Sequence, residues 1–253
     1  MLSDIRNGNF TSSEIVALTK MNRKGDDFGE PALKYINQCN MERRLGRSLD
    51  GELEAKPTNY GKFVEPLLFS MLQEEYTYNS SQTLVHPKYS HWVGTPDGYK
   101  KTKKRTVVDT KCPFTLESFC NLVNPLYDGL EGLDVMNALR NGYTDKNGLN
   151  HAKHTDGEKY YWQLVSNACI DDCECAELIV YCPFESELEV IISQAVESGN
   201  PSAYFIANGN PKTLPCIKDG GFYNNINIIS FEVPIEDKEF LTELVEKAGK
   251  YLI

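Results

Sequence analysis

The run Thr106-Val107-Val108-Asp109-Thr110-Lys111 constrains the fold of this chain more than any other stretch. Its β-branched residues favour an extended backbone. In a strand, Asp109 and Lys111 project from one face while Val108 and Thr110 project from the other. Further strands are read around Leu84-Val85, around His91 to Thr95, at Glu177 to Cys182 and near 226–233. Helical patterns lie between them: 31–47, opened by Pro31; 61–75, with Phe63, Leu67 and Met71 at helical spacing and Pro66 early in it; 115–123; 160–170; 185–198; and 236–251. Phe10-Thr11-Ser12-Ser13-Glu14 reads as an N-cap leading into a short helix. The segment 124–157, rich in Gly, Asn and Asp, reads as a long irregular excursion with one short helix. Strands and helices that interleave without repeat or linker imply one α/β domain, residues 1–253, on a central mixed β-sheet flanked by helices.

Composition removes several functional classes. With 41% hydrophobic and 25% charged residues, the chain has the make-up of a protein that buries a core. No stretch approaches a membrane-spanning run of about 18 apolar residues. The opening MLSDIRNGNF has no apolar signal-peptide core, which implies a cytoplasmic location. The cysteine group Cys169, Cys173, Cys175 and Cys182 contains no CxxC pair, so reduced, buried thiols are expected rather than disulfides or an iron–sulfur cluster. The four histidines lack a Glu-x-x-His companion, which speaks against zinc. GxGxxG, GxxxxGK[ST] and GxSxG are all missing. A net charge of −10 argues against a protein that coats nucleic acid by bulk charge, yet leaves room for a basic groove beside an acidic metal site.

The chemistry concentrates in residues 94–114, GTPDGYKKTKKRTVVDTKCPF. Asp97 follows Pro96 at the end of the strand before the basic run. If that strand and 106–111 form a hairpin, Asp97 and Asp109 converge with Lys111 beside them. Two carboxylates and a main-chain carbonyl make a hard oxygen site suited to Mg²⁺ or Mn²⁺. A lysine there can orient or deprotonate a water, or offset charge on a phosphoryl oxygen. The same pattern also suits a solvated hairpin, because Asp-Gly is a frequent turn pair and D-x-K is common on surface strands. The basic run Lys100-Lys101-Thr102-Lys103-Lys104-Arg105 reads either as a solvated tip or, through Lys103 and Lys104, as a contact to a phosphate backbone.

Pro96-Asp97, then Asp109-Thr110-Lys111 running into Cys112-Pro113-Phe114, resembles the PD-(D/E)xK nuclease superfamily, and within it the lambda-exonuclease-like, YqaJ-type viral recombinase family. Gly61-Lys62-Phe63-Val64-Glu65 matches the glutamate of that family's upstream helix. Tyr160-Tyr161-Trp162-Gln163 matches the glutamine of a downstream helix, although the second glutamine that often follows is Val165 here. Ile5-Arg6-Asn7-Gly8-Asn9-Phe10-Thr11-Ser12-Ser13-Glu14 matches the layout by which members working from a 5′ end hold a phosphate. The physics of such a site is simple: arginine grips phosphate in two places, and a hydroxyl and free N–H groups add donors. The blocks follow the family's order from Arg6 to Cys182, while the C-terminal seventy or so residues match none of it.

The resemblance implies a restriction-endonuclease-like core over about 1–183, followed by further strand and helix elements over 184–253. It implies an Mg²⁺-dependent exonuclease, with Mn²⁺ as substitute, that degrades linear double-stranded DNA in the 5′→3′ direction. Asp97, Asp109 and the Thr110 carbonyl are then the metal ligands, Glu65 assists, and Lys111 positions or activates the water. Gln163 lines the site, and Arg6 and Ser13 hold the 5′ phosphate. The implied setting is phage-type recombination in a bacterial cytoplasm, with a single-strand annealing recombinase as partner, a ring trimer as assembly and no membrane. An endonuclease or nickase, a CRISPR-adaptation-like nuclease of the same fold, and a non-catalytic DNA-binding protein are the alternatives. The intact carboxylate–carboxylate–lysine set speaks against the last of these.

Overall fold

The computed structural model describes residues 4–49, 55–80 and 82–253. Its strands are β1 (Phe10–Thr11), β2 (Tyr76–Tyr78), β3 (Leu84–Val85), β4 (Trp92–Gly94), β5 (Gly98–Lys100), β6 (Thr106–Lys111), β7 (Tyr143–Thr144), β8 (Asn150–His151), β9 (Cys175–Tyr181) and β10 (Ile226–Glu232). Its helices are α1 (Glu30–Leu45), α2 (Lys56–Met71), α3 (Leu116–Tyr127), α4 (Gly132–Asn141), α5 (Gly157–Ile170), α6 (Glu185–Ser198), α7 (Tyr204–Ala207) and α8 (Ile235–Gly249).

The main sheet runs in the order β10-β9-β6-β5-β2. It is mixed: β6 lies parallel to β9 and antiparallel to β5, and the β10–β9 and β5–β2 pairs are antiparallel. β6 therefore sits at the centre, and alternation along the strands sends side chains into two separate apolar layers. Val107, Leu178 and Val180 enter one layer with residues of α1, α3, α4, α5 and α8. Val108, Ile179 and Tyr181 enter the other with α2, α6 and α7. A second, small sheet of β1, β4 and β3 joins the N-terminal segment to the strand that precedes the hairpin. Among the described residues, no helix is long and apolar enough to cross a membrane.

Several elements differ from the sequence expectation. The strand before Pro96 does not pair with β6. It ends at Gly94 within the small sheet, and the hairpin partner is β5, which begins just after Asp97. α2 starts at Lys56 rather than near 61, so Pro66 is an interior residue that removes one intrahelical hydrogen bond. No side chain caps the short 3₁₀ helix Ile15–Thr19, so Ser13 is not an N-cap. The segment 124–157 is largely ordered into the end of α3, all of α4 and the β7–β8 hairpin.

Candidate active site

The β5–β6 register pairs Gly98 with Val108, and the Asp97 N–H donates to the Val108 carbonyl at 3.1 Å. Continuing that register sets Asp97 across from Asp109, the juxtaposition that cross-strand neighbours require. Asp97 Oδ2 then accepts from the Thr110 N–H at 2.7 Å and from the Thr110 hydroxyl at 2.9 Å. The same hydroxyl lies 3.4 Å from Glu65 Oε2, which α2 brings down on the opposite side of β6 from α5. Gly98 makes that descent possible. A Cβ there would stand 2.6 Å from the Phe69 ring and from the Thr77 carbonyl oxygen, and Phe69 lies one helical turn after Glu65.

On the other face, Asp109 is fully buried, at 0% exposure. Its Oδ1 accepts from Gln163 Nε2 at 2.6 Å, whereas its Oδ2 pairs with the Lys111 ammonium and accepts no other hydrogen bond. The Lys111 ammonium also lies 4.8 Å from the centroid of the Tyr160 ring. The structure thus draws Glu65, Asp97, Asp109, Thr110, Lys111 and Gln163 around one end of β6. They do not close around a single point: no choice of one oxygen each puts Glu65, Asp97 and Asp109 all within 4.8 Å of one another, although Glu65 and Asp97 share the Thr110 hydroxyl.

Three carboxylates facing one ammonium leave the site short of positive charge, and the titrations follow. Burial, then the neighbouring Asp109 and Glu65, push the Asp97 carboxyl well above its ordinary range. Burial and the Asp109 charge likewise raise Glu65, against hydrogen bonds from Tyr78 and Thr110. Burial works to lower Lys111, but Asp109 and Asp97 outweigh it and hold the ammonium above the usual lysine range. An all-oxygen donor set with excess negative charge, including a buried carboxylate oxygen whose sole partner is a lysine, fits a hard divalent cation.

Arg6 and Ser13 also meet: the guanidinium donates to the Ser13 hydroxyl at 3.1 Å, and that hydroxyl lies 3.3 Å from Thr11 Oγ1. Both are half-buried. Helix α5 ties this segment to β6. Ser166 bonds Ser12 at 2.8 Å, Lys159 pairs with Glu14 at 2.9 Å, and Gln163 lies between them on the same helix face. Gly94 allows the close seat, since a Cβ there would meet Asn167 Oδ1 at 2.3 Å and Ser12 Oγ at 2.5 Å.

The basic tip is placed differently. Residues 101–105 are exposed at the end of the hairpin away from Lys111. Lys104 pairs with Glu232, Arg105 pairs with Asp171 at 2.8 Å, and Lys100 is held by Glu75 and Glu177; Lys103 is exposed. A separate group, Asp128, Asp145 and His151, has ligand-type atoms within 4.8 Å of one another near the β7–β8 hairpin. Each is already engaged: His151 with Asp145 at 3.2 Å, Asp128 with the Tyr143 hydroxyl at 2.5 Å, and Asp145 with two backbone N–H groups. Sequence reasoning missed Tyr160, Tyr78 and the Thr110 hydroxyl as parts of the β6 site. Tyr160 alone carried a cue, lying three residues before Gln163 and so on the same side of a helix.

No protein-family model and no curated protein matches this chain. Solved structures do. An alkaline exonuclease (LHK-Exo) from Laribacter hongkongensis superposes with a TM-score of 0.56 at 11% identity, covering 96% of this chain and 87% of that one. A phage-related exonuclease from Haemophilus somnus 129PT gives 0.61 at 14% identity, over 96% and 92%. The chain has the fold of these exonucleases. LHK-Exo in complex with dAMP gives 0.50 at 12% identity, over 98% and 94%. This exonuclease fold agrees with the resemblance read from the four motif blocks, and its central mixed sheet is the one on which β6 lies.

Proposed function

We infer that this protein is a divalent-metal-dependent deoxyribonuclease that degrades linear double-stranded DNA from a 5′ end. The observation that carries this reading is the buried Asp109–Lys111 pair, with Gln163 on one carboxylate oxygen and Asp97 on the adjacent Thr110. Asp97, Asp109 and the Thr110 carbonyl would hold Mg²⁺ or Mn²⁺, with Glu65 assisting. Such an ion supplies stabilisation of phosphoryl charge and a more acidic water. The chain's own residues do the rest. Gln163 fixes the orientation of Asp109 through Oδ1. Lys111, charged at neutral pH, orients the attacking water and offsets charge on the phosphoryl oxygens.

Arg6 and Ser13, already in contact, hold the 5′ phosphate, with α5 fixing their place relative to β6. We assign no phosphate contact to Lys104, whose ammonium is taken by Glu232, and give Lys103 at the distant tip at most a peripheral one. That the structural neighbours are exonucleases, one of them in complex with dAMP, supports an exonuclease reading over an endonuclease. By the family resemblance, the setting is phage-type recombination, with a single-strand annealing protein taking the exposed strand and a ring trimer as the working assembly.

The test is digestion of linear duplexes carrying 5′-phosphate or 5′-hydroxyl ends and of closed circles, with Mg²⁺. Asp109→Ala and Lys111→Ala are assayed alongside. Linear, 5′-phosphorylated DNA is expected to be degraded and both variants to keep only a small residual rate. Undiminished cleavage by the variants defeats the site assignment, and equal cleavage of closed circles defeats the exonuclease reading.

A further inference from the structure

Besides the nearby Asp97 charge, Lys111 makes direct contacts of two different kinds: the Asp109 carboxylate, and the face of the Tyr160 ring at 4.8 Å. Tyr160 lies on α5 three residues before Gln163, the side chain that holds the other oxygen of Asp109. Residues at that spacing share one side of a helix, so a single stretch of α5 touches both members of the ion pair. The ring is half-buried, and its helix is fixed independently of the pair by Ser166 on Ser12 and Trp92 and by Lys159 on Glu14. The ring also sits beside His154, at 5.8 Å between centroids.

We propose that Tyr160 is a positioning residue for Lys111: the ring holds the ammonium at its working place by a cation–π contact, as Gln163 holds Asp109. The inference rests on the reading of Lys111 as the catalytic lysine. A lysine on a long, flexible stem needs more than one contact to stay in one place. Asp109 is a poor sole anchor, because in the proposed reaction a divalent ion competes with the lysine for the same carboxylate. The ring has no such second duty, and a partly desolvated ring attracts an ammonium strongly enough to select one rotamer.

The experiment compares Tyr160→Leu, Tyr160→Phe, Lys111→Ala and the Tyr160→Leu/Lys111→Ala double variant in Mg²⁺-dependent digestion of linear duplex DNA. Tyr160→Leu is expected to lower kcat about tenfold with KM unchanged, the size of a partly desolvated cation–π contact. Tyr160→Phe keeps the ring and stays close to wild type. Tyr160→Leu costs nothing further once Lys111 is gone. A second readout needs no activity: in protein labelled with ¹³C-lysine, the Lys111 ε-methylene resonance is shifted by the ring current in wild type and Tyr160→Phe, and returns to the ordinary lysine position in Tyr160→Leu. Equal loss in the Leu and Phe variants, or an equal Leu effect with and without Lys111, overturns the proposal. So does an unshifted wild-type resonance in an active enzyme. A wild type that digests no DNA overturns the nuclease reading and the role of Tyr160 in it together, whatever the resonance shows.

Discussion

Replacing Lys111 by methionine keeps an unbranched side chain and removes one charge, which isolates the ion pair at the centre of the site. Asp109, at 0% exposure, would retain the Gln163 hydrogen bond on Oδ1 but leave Oδ2 buried with no partner. Orphaning one member of a buried pair costs about 3–5 kcal/mol. Because the lysine side chain is itself 19% exposed, the lower end applies, about 3 kcal/mol. For a chain of this size that lowers Tm by about 6–12 °C. The converse change, Asp109→Asn, leaves an ammonium with access to water, the Tyr160 ring and the nearby Asp97, and should cost only about 1 kcal/mol. The double variant buries no unpaired charge and should come within about 1 kcal/mol of Asp109→Asn. Because the folded-state Lys111 pKa is raised, the ammonium's part in the pair is fully present below the ordinary lysine value. It is lost only as pH rises through the raised one, so the deficit is flat through neutrality. Thermal and urea unfolding with chelator present measures all three variants. A Lys111→Met loss no larger than that of Asp109→Asn, or a double variant as unstable as the sum of the singles, would refute the reasoning.

Other outcomes follow from the same geometry. In metal-free protein, the raised Asp97 carboxyl favours the folded state only while protonated, and that contribution is lost as pH rises through its folded-state pKa. Asp97→Asn should therefore be the more stable protein at neutral pH, with the gap closing towards acid; a pH-independent gap in Tm contradicts this. Mg²⁺ or Mn²⁺ should raise the wild-type Tm, by about 2.7 kcal/mol of stability at a hundredfold excess over Kd. An Asp97→Asn/Asp109→Asn protein stabilised equally in calorimetry would remove those residues as ligands. Gly98→Ala should cost about 1–3 kcal/mol, because its Cβ meets the Thr77 carbonyl and the Phe69 ring, and should reduce digestion by lifting Glu65 away. Arg6→Ala should cut the preference for 5′-phosphate over 5′-hydroxyl ends about ten- to hundredfold, the worth of a charge-assisted contact, as measured by competition between the two duplexes.

The long elements were legible because their signals are local. β6 was marked by its β-branched run, and α6 was read with the bounds the structure gives, Glu185–Ser198. Strands of two or three residues, such as β1, β2 and β5, are too short for alternation to register, so the partner of β6 was misplaced by one strand. Asp97 still reaches β6, because the chain turns at Pro96 from one sheet into the other. The motif residues were legible as types, and their meeting depended on contacts far apart in sequence. Gln163 reaches Asp109 across 54 positions and Thr110 reaches Glu65 across 45, and no periodicity encodes either. The basic tip could be read two ways for the opposite reason: its charges are conspicuous in sequence, while Glu232, Asp171, Glu75 and Glu177 answer most of them in space.

Between Lys159 and Ser166, helix α5 touches the N-terminal segment at both ends and the Asp109–Lys111 pair in between. These eight residues of helix span about 10 Å and bend little, so the stretch would hold the place where a strand end would be gripped at a fixed offset from the place where it would be cut. Under the proposed function, the step length belongs to the protein and not to the DNA. One residue inserted within that span would turn its far half by about 100° and detach one duty from the other. The expected product is a nuclease that still cuts but no longer counts from the end.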